Sequence, residues 1–320
     1  MSSCRKPGKI IKNIEMNSII FIDGKFYPED KAKVSVLDHG YLYGNGCWTT
    51  LMSNNNKLFM LDEHIERLYE SAEIIHLETP WEKKIVKKWI FETYKKNLHI
   101  KGRKRIRVGF HRGVGPDVIV DNGQLCKPSI NIIVSKYPEE KEIQAVRSGL
   151  DVMTVSIERV FPESKNCNFL PSYFASIKAK ESNKDDALFQ NRDGYITEAT
   201  TGNLFYFKDN NLFTTSSNIL KGVTRDVIIQ FAKMKNIKIF EKMFKLGELL
   251  LADEVFISGT TKLILPVINI NNKRISDGQP GKNTIQLRKD LTEFLFFKEN
   301  KFAVSIYDHN ENNISQQKQI

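Results

Sequence analysis

No run of about 20 apolar residues occurs in the chain, which argues against a membrane-spanning helix. Cysteine is scarce as well. Cys4, Cys47, Cys126 and Cys167 lie far apart and form no CxxC pair, so no structural zinc is expected and a reduced, cytoplasmic setting is the simplest inference. The six histidines show no metal-ligand spacing, and no metal site is expected. The opening residues MSSCRKPGKIIKNIE lack the apolar core of a secretory signal. Also missing is a compact basic cluster interleaved with aromatics. The formal charge of +10 comes from scattered cations, often beside acids as in EEKEIQ and NKDD. A nucleic-acid partner is therefore not expected, and a non-catalytic basic binding protein stands only as the alternative of another class.

The 320 residues, 41% of them apolar and 27% charged, suit one large globular domain or two modest ones. SIIFIDGKFY predicts a hairpin turning at Asp23-Gly24, and TTLMSNNNKLFML predicts another with an asparagine-rich turn. Ile65, Leu68, Tyr69, Ala72 and Ile75 recur at helical spacing, WEKKIVKKWIFETYKKNL reads as a second amphipathic helix, and KRIRVGF and SINIIVS return to strand. After a polar connection, DVMTVSIERV predicts a strand and PSYFASIKAKES a helix. Hairpins follow at Asp193-Gly194 and KDNN, then a turn feeding a helix in ILKGVTRDVIIQFAKMKN and closing strands in DEVFISGTTKLILPVINI. The expected organisation is a flexible leader over 1–16, a smaller N-terminal domain over 17–137, a connection over 138–148, a larger C-terminal domain over 149–299 and a polar tail over 300–320. Both domains are expected to be α+β, with a cleft between them, a favoured place for a cofactor.

Several local patterns could carry chemistry. Gly222 and Thr224 in ILKGVTRDVII open a helix whose first N–H groups and dipole form an anion site, although a simple capped helix reads the same way. Gly259-Thr260-Thr261 is a second small-residue turn that could grip the same phosphate, with Arg67 balancing charge. Arg67 could equally pair with Glu63 or Glu70 on its own helix. Glu198, in ITEATTGN, follows Lys165 of SKNCNF by 33 residues. A lysine, a carboxylate and a phosphate cradle on one domain are the parts that pyridoxal 5'-phosphate requires.

The chain resembles the class IV (fold-type IV) pyridoxal-phosphate enzymes. The resemblance lies in LDHGYLYGNGCWTTL, LFMLDEHIERLYESA, RIRVGFHRGVG, SKNCNFLPSYFASIKAKE, ALFQNRDGYITEATTGNLFYFKDNNLFTT, ILKGVTRDVII and DEVFISGTTKLILPV, in order from about residue 19 to 295. It implies the two-domain fold of D-amino-acid aminotransferases with the active site between the domains. It implies Lys165 as the Schiff-base lysine, Glu198 as partner of the ring nitrogen and Leu220 against a ring face. Arg67, the backbone of Val223 and Thr224, Gly259 and Thr260 would hold the phosphate, with Asn203 also at the cofactor. A small-molecule amine substrate and a two-fold homodimer are implied too.

Within that family the run Cys47-Trp48-Thr49-Thr50 looks like some 4-amino-4-deoxychorismate lyases, which yield p-aminobenzoate and pyruvate in folate biosynthesis. On that reading Trp48 walls the substrate ring, and Thr49 or Thr50 relays a proton or binds the leaving group. Strand propensity alone also explains the two threonines. Arg112 is a candidate for the substrate carboxylate. Against this, GVGPDVIVD lacks the arginine-x-histidine pair of D-amino-acid aminotransferases, and with CKPSINIIV looks more like branched-chain enzymes. The expectation is the lyase, with a branched-chain or D-amino-acid aminotransferase as the alternative.

Overall fold

The computed structural model describes residues 18–117, 125–297 and 302–307. The expected leader, residues 118–124 and most of the expected tail lie outside the described residues. In the first part, β1 (Ile19–Ile22) and β2 (Lys25–Pro28) form a hairpin, followed by α1 (His39–Tyr43), β3 (Gly46–Asn54), β4 (Lys57–Phe59), α2 (Leu61–Ile74), α3 (Lys83–Lys96), β5 (Lys104–Val114) and β6 (Lys127–Lys136). The hairpins turn where expected. Asp23-Gly24 and Asn55-Asn56 all have positive φ, which the tight two-residue turn demands and which Asn, Asp and Gly tolerate best.

The expected connection contains a helix, α4 (Glu139–Ser148). The larger part contains β7 (Leu150–Val155), α5 (Leu170–Glu181), β8 (Asp186–Gln190), β9 (Tyr195–Ala199), β10 (Gly202–Lys208), β11 (Asn211–Thr214), α6 (Val223–Met234), β12 (Ile239–Glu241), β13 (Phe244–Lys245), α7 (Leu246–Leu250), β14 (Glu254–Gly259), β15 (Leu263–Ile270), β16 (Lys273–Arg274) and α8 (Lys282–Phe296). No expected element covers α8, although its buried Leu287, Leu291 and Leu295 recur at every fourth position. Residues 303–305 of the expected tail form β17 (Ala303–Ser305), paired with β4. Phe302 and Ile306 beside it are buried, because two apolar residues flanking an extended segment can each fill a different core.

Two sheets result. The first runs β17-β4-β3-β5-β6-β1-β2, and the second contains β12-β11-β10-β14-β15-β7-β8-β9-β13, with β16 on β15. Strand β3 joins them by its alternation. Cys47 and Leu51 pack into the core under α2 and α3, whereas Met52, on the opposite face, packs with Phe205, Phe256 and Leu287 of the second part. No described helix is long and apolar enough to cross a membrane.

Candidate active site

The start of β3 meets the segment that carries Lys165. Trp48 N–H donates to the Lys165 carbonyl at 2.9 Å, and Cys167 N–H donates to the Gly46 carbonyl at 2.7 Å. Ser71 of α2 holds the same segment, accepting from Lys165 N–H at 3.1 Å and from the Ser164 hydroxyl at 2.9 Å. A short rung of extended backbone thus fixes Lys165 against β3 and α2. Its side chain reaches back over Trp48, with Nζ 4.3 Å from the ring centroid.

Burial holds the Lys165 amine well below the ordinary lysine range. The nearby charges of Arg67 and Arg159 push the same way, and Glu198 opposes them. The Trp48 ring face also favours the ammonium, by about 2 kcal/mol or somewhat more when desolvated, but less than burial disfavours it. Taking a charge out of water costs several kcal/mol, so the neutral amine is favoured.

Glu198 is the penultimate residue of β9, opposite Asn203 of β10 in the ladder. Its carboxylate accepts from Arg159, and from the Leu220 N–H at 3.3 Å. Burial raises its pKa, while Arg159 pulls it back down. Asn203 Nδ2 donates to the Leu220 carbonyl at 2.7 Å, so Leu220 is pinned at both its N–H and its C=O. Gly222 is needed because a Cβ there would lie 2.2 Å from Asn203 Oδ1.

Beyond Leu220 the chain enters α6 through Gly222, and the first-turn N–H groups of Val223 and Thr224 have no partner within the helix. Around them, Thr224 Oγ1, Arg67 Nε and Ser258 Oγ are buried without hydrogen-bond partners. Burial lowers the Arg67 pKa to about 10, so the guanidinium stays charged at neutral pH. Orphaned donors, a cation and a helix N-terminus facing one space are the chemistry of a phosphate cup. Together with Trp48, Phe169, Lys165, Glu198, Leu220, Gly259 and Thr260 they line one cleft. Those walls fit pyridoxal phosphate, with the tail in the cup, a carboxylate for the ring nitrogen and an amine for the aldehyde.

Lys165, Arg67, Glu198, Asn203, Leu220, Val223, Thr224, Gly259, Thr260 and Trp48 therefore share one cleft, but three expected residues do not take their roles. Thr49 is fully buried on the α2 face of β3. Its hydroxyl accepts from Arg67 Nη2 at 2.8 Å and meets His64 Nδ1 at 2.9 Å, which leaves nothing to relay for a substrate. Thr50 shares the Trp48 face but is not among the cleft walls; it sits opposite Arg107 in the ladder. Arg112 donates to the Ile75 and His76 carbonyls at 3.3 and 2.9 Å, securing the end of α2.

Arg107 was missed. It occupies the strand face of Trp48, with its guanidinium carbon 4.0 Å from that ring, and its charge reaches Lys165. Arg159, His64 and Ser71 were missed too, since nothing local distinguishes them from ordinary surface or core residues. Among the described residues, no group of three or more His, Cys, Asp or Glu could hold a metal ion.

The sequence profile of the family described as "Amino-transferase class IV" matches residues 46–270. A Methanocaldococcus jannaschii protein provisionally named branched-chain-amino-acid aminotransferase is 35% identical over 296 residues, covering 90% of this chain and 99% of its own. The D-alanine aminotransferase of Staphylococcus epidermidis is 31% identical over 280 residues, covering 86% and 97%. Among solved structures, the branched-chain aminotransferase of Thermoproteus uzoniensis, with norvaline, superposes with a TM-score of 0.82 at 27% identity, covering 91% of this chain and 99% of that one. The chain belongs to the class IV aminotransferase family and has the fold-type IV architecture, two α+β domains with the cleft between them. Its cofactor is pyridoxal phosphate.

Proposed function

We propose that the protein is a pyridoxal-phosphate-dependent aminotransferase that moves the amino group of an apolar, branched-chain amino acid to a 2-oxo acid. The observation that carries this reading is one neutral-leaning lysine held over Trp48, between the Glu198–Arg159 pair and an anion cup. The M. jannaschii and T. uzoniensis relatives support the branched-chain substrate. The lyase expected from Cys47-Trp48-Thr49-Thr50 loses its support, because the Thr49 hydroxyl is committed to Arg67 and His64 and these relatives are named as aminotransferases.

Bound in the cleft, pyridoxal phosphate supplies an electron sink for a deprotonated amino-acid carbon. Lys165 Nζ, uncharged, takes the proton from that carbon and gives one back. Glu198, fixed by Arg159 and the Leu220 N–H, would keep the pyridine nitrogen protonated. Trp48 and Phe169, with ring centroids 6.3 Å apart, offer an apolar wall to the substrate side chain. Arg107, whose guanidinium carbon lies 4.0 Å from the Trp48 ring centroid, offers a cation to a carboxylate of the amino or oxo acid. A homodimer in the cytoplasm completes the proposal, and the exposed Val34, Val36, Leu37, Tyr41 and Leu42 supply apolar surface for a second copy. Sedimentation at micromolar concentration tests that point, with a monomer counting against it.

The activity is tested by adding single amino acids to the holoprotein and following its near-visible absorbance. L-leucine or L-valine should bleach the band without further turnover, and 2-oxoglutarate should restore it. Conversion by D-alanine alone would transfer the assignment to the activity named for the S. epidermidis relative. Pyruvate released from aminodeoxychorismate with no oxo acid present would restore the lyase. Lys165→Ala should abolish all turnover.

A further inference from the structure

Four side chains run from the arginine of the cup to its threonine, and the direction of their hydrogen bonds follows from what each group can do. Arg67 Nη2 only donates, and it donates to Thr49 Oγ1 at 2.8 Å. The Thr49 hydroxyl, having accepted, gives its own proton to His64 Nδ1 at 2.9 Å. That same Nδ1 lies 3.3 Å from Arg67 Nη2, a second donor. A ring nitrogen facing two donors must present its lone pair, so the imidazole proton sits on Nε2. Nε2 lies 3.4 Å from Thr260 Oγ1. Thr260 then accepts from His64, and its own hydroxyl proton is left for the cleft.

A protonated imidazole would turn an N–H toward the Arg67 guanidinium. Burial first, then the charge of Arg67, holds His64 well below its ordinary pKa and keeps it neutral. His64 is fully buried, so water does not substitute for any link.

We propose that His64 is a positioning residue that makes the Thr260 hydroxyl a one-way donor to the cofactor phosphate. This rests on the phosphate reading of the cup given above. Phosphate accepts only, and a threonine free to rotate would spend part of its time offering a lone pair to it instead. The imidazole removes that choice before the ligand arrives, the general advantage of a preorganised site.

The full-length chain, freed of cofactor, should be titrated with pyridoxal phosphate and with pyridoxal, which lacks the phosphate. His64→Phe should weaken pyridoxal phosphate about ten-fold or more, the scale of one oriented hydrogen bond to a charged group, and leave pyridoxal within about two-fold. His64→Gln, whose amide can both accept and donate, should recover most of the loss. The pair His64→Phe with Thr260→Val should bind no more weakly than Thr260→Val alone, because both changes remove the same bond. Equal losses for the two ligands, or losses that multiply in the pair, would overturn the proposal. If His64→Phe does not fold, Thr49→Val interrupts the same chain and must show the same preference for weakening the phosphorylated ligand. Wild-type protein that binds pyridoxal as tightly as pyridoxal phosphate would instead sink the phosphate reading of the cup itself.

Discussion

At the scale of the residue, the chemistry depends on two charge states, an uncharged Lys165 and a charged Arg67 a short distance away. Both are pushed by the same burial, but the guanidinium begins from so high a pKa that a fall to about 10 leaves it protonated. The lysine has less to lose, and its arginine neighbours add to the fall. A lowered pKa means a larger uncharged fraction at any given pH. In the cofactor-free protein, acetic anhydride should therefore modify Lys165 at lower pH than it modifies Lys208, whose pairing with Asp253 raises its pKa. Residue-resolved mass spectrometry reads the two titrations, and a Lys165 that follows or trails Lys208 would contradict the charge assignment. Arg107→Leu should raise KM for the oxo acid about ten-fold or more, as expected for one charge-assisted bond, with kcat changed less. A fall in kcat at constant KM would show that Arg107 is not a binding group.

Lys165, Glu198 and Arg67 were legible in the sequence because each sits in a distinctive stretch. Arg159 was not, since its meeting with Glu198 depends on the turn through Pro162 and Ser164. Arg107 was not singled out, because it lies among other basic residues in one strand-like run. Only the pairing of β5 with β3 reveals that Arg107 shares the face of Trp48.

At the scale of the element, the decisive feature is how α6 begins. Gly222 has ordinary extended backbone angles, so its role is space and not strain. Gly222→Ala would drive a methyl into Asn203 Oδ1, displace Asn203 from the Leu220 carbonyl and move the loop that links Glu198 to the cup. Affinity for pyridoxal phosphate should fall about ten-fold, the consequence of losing one buried hydrogen bond. Gly247→Ala is the contrast: α7 leaves open space there, and alanine favours helix, so stability should hold or rise. Equal effects at the two glycines, read by calorimetry and cofactor titration, would mean that Gly222 is not a contact site. Periodicity identified α2, α3 and α6 readily. It missed the helical character of α4, whose one buried residue is the charged Glu142, so no apolar stripe announces it.

At the scale of the whole molecule, that same Glu142 ties the parts together. It is 4% exposed and pairs with Arg103, at the entry to β5, and with Arg288 of α8. Arg288 also donates to the Lys262 carbonyl at 2.7 Å, just past the Gly259–Thr261 turn of the cleft. Glu142→Gln would leave Arg288 short of its counter-charge and Arg103 with Glu139 alone, and removal of one partner from a buried cluster costs roughly 3–5 kcal/mol. Denaturant unfolding should show that loss, and a change below about 1 kcal/mol would mean that solvent screens the cluster. The end of the chain acts at the same scale, with Phe302 in one core and Ile306 in the other. That role was hidden in the sequence because two apolar residues in a polar stretch do not form a pattern.

The central claim is that Lys165 is the amine that carries the cofactor. Borohydride reduction of the holoprotein, followed by proteolysis and mass spectrometry, tests it most directly. The account predicts one phosphopyridoxyl adduct, on the peptide containing Lys165. An adduct on another lysine, or none after incubation with excess pyridoxal phosphate, would contradict it.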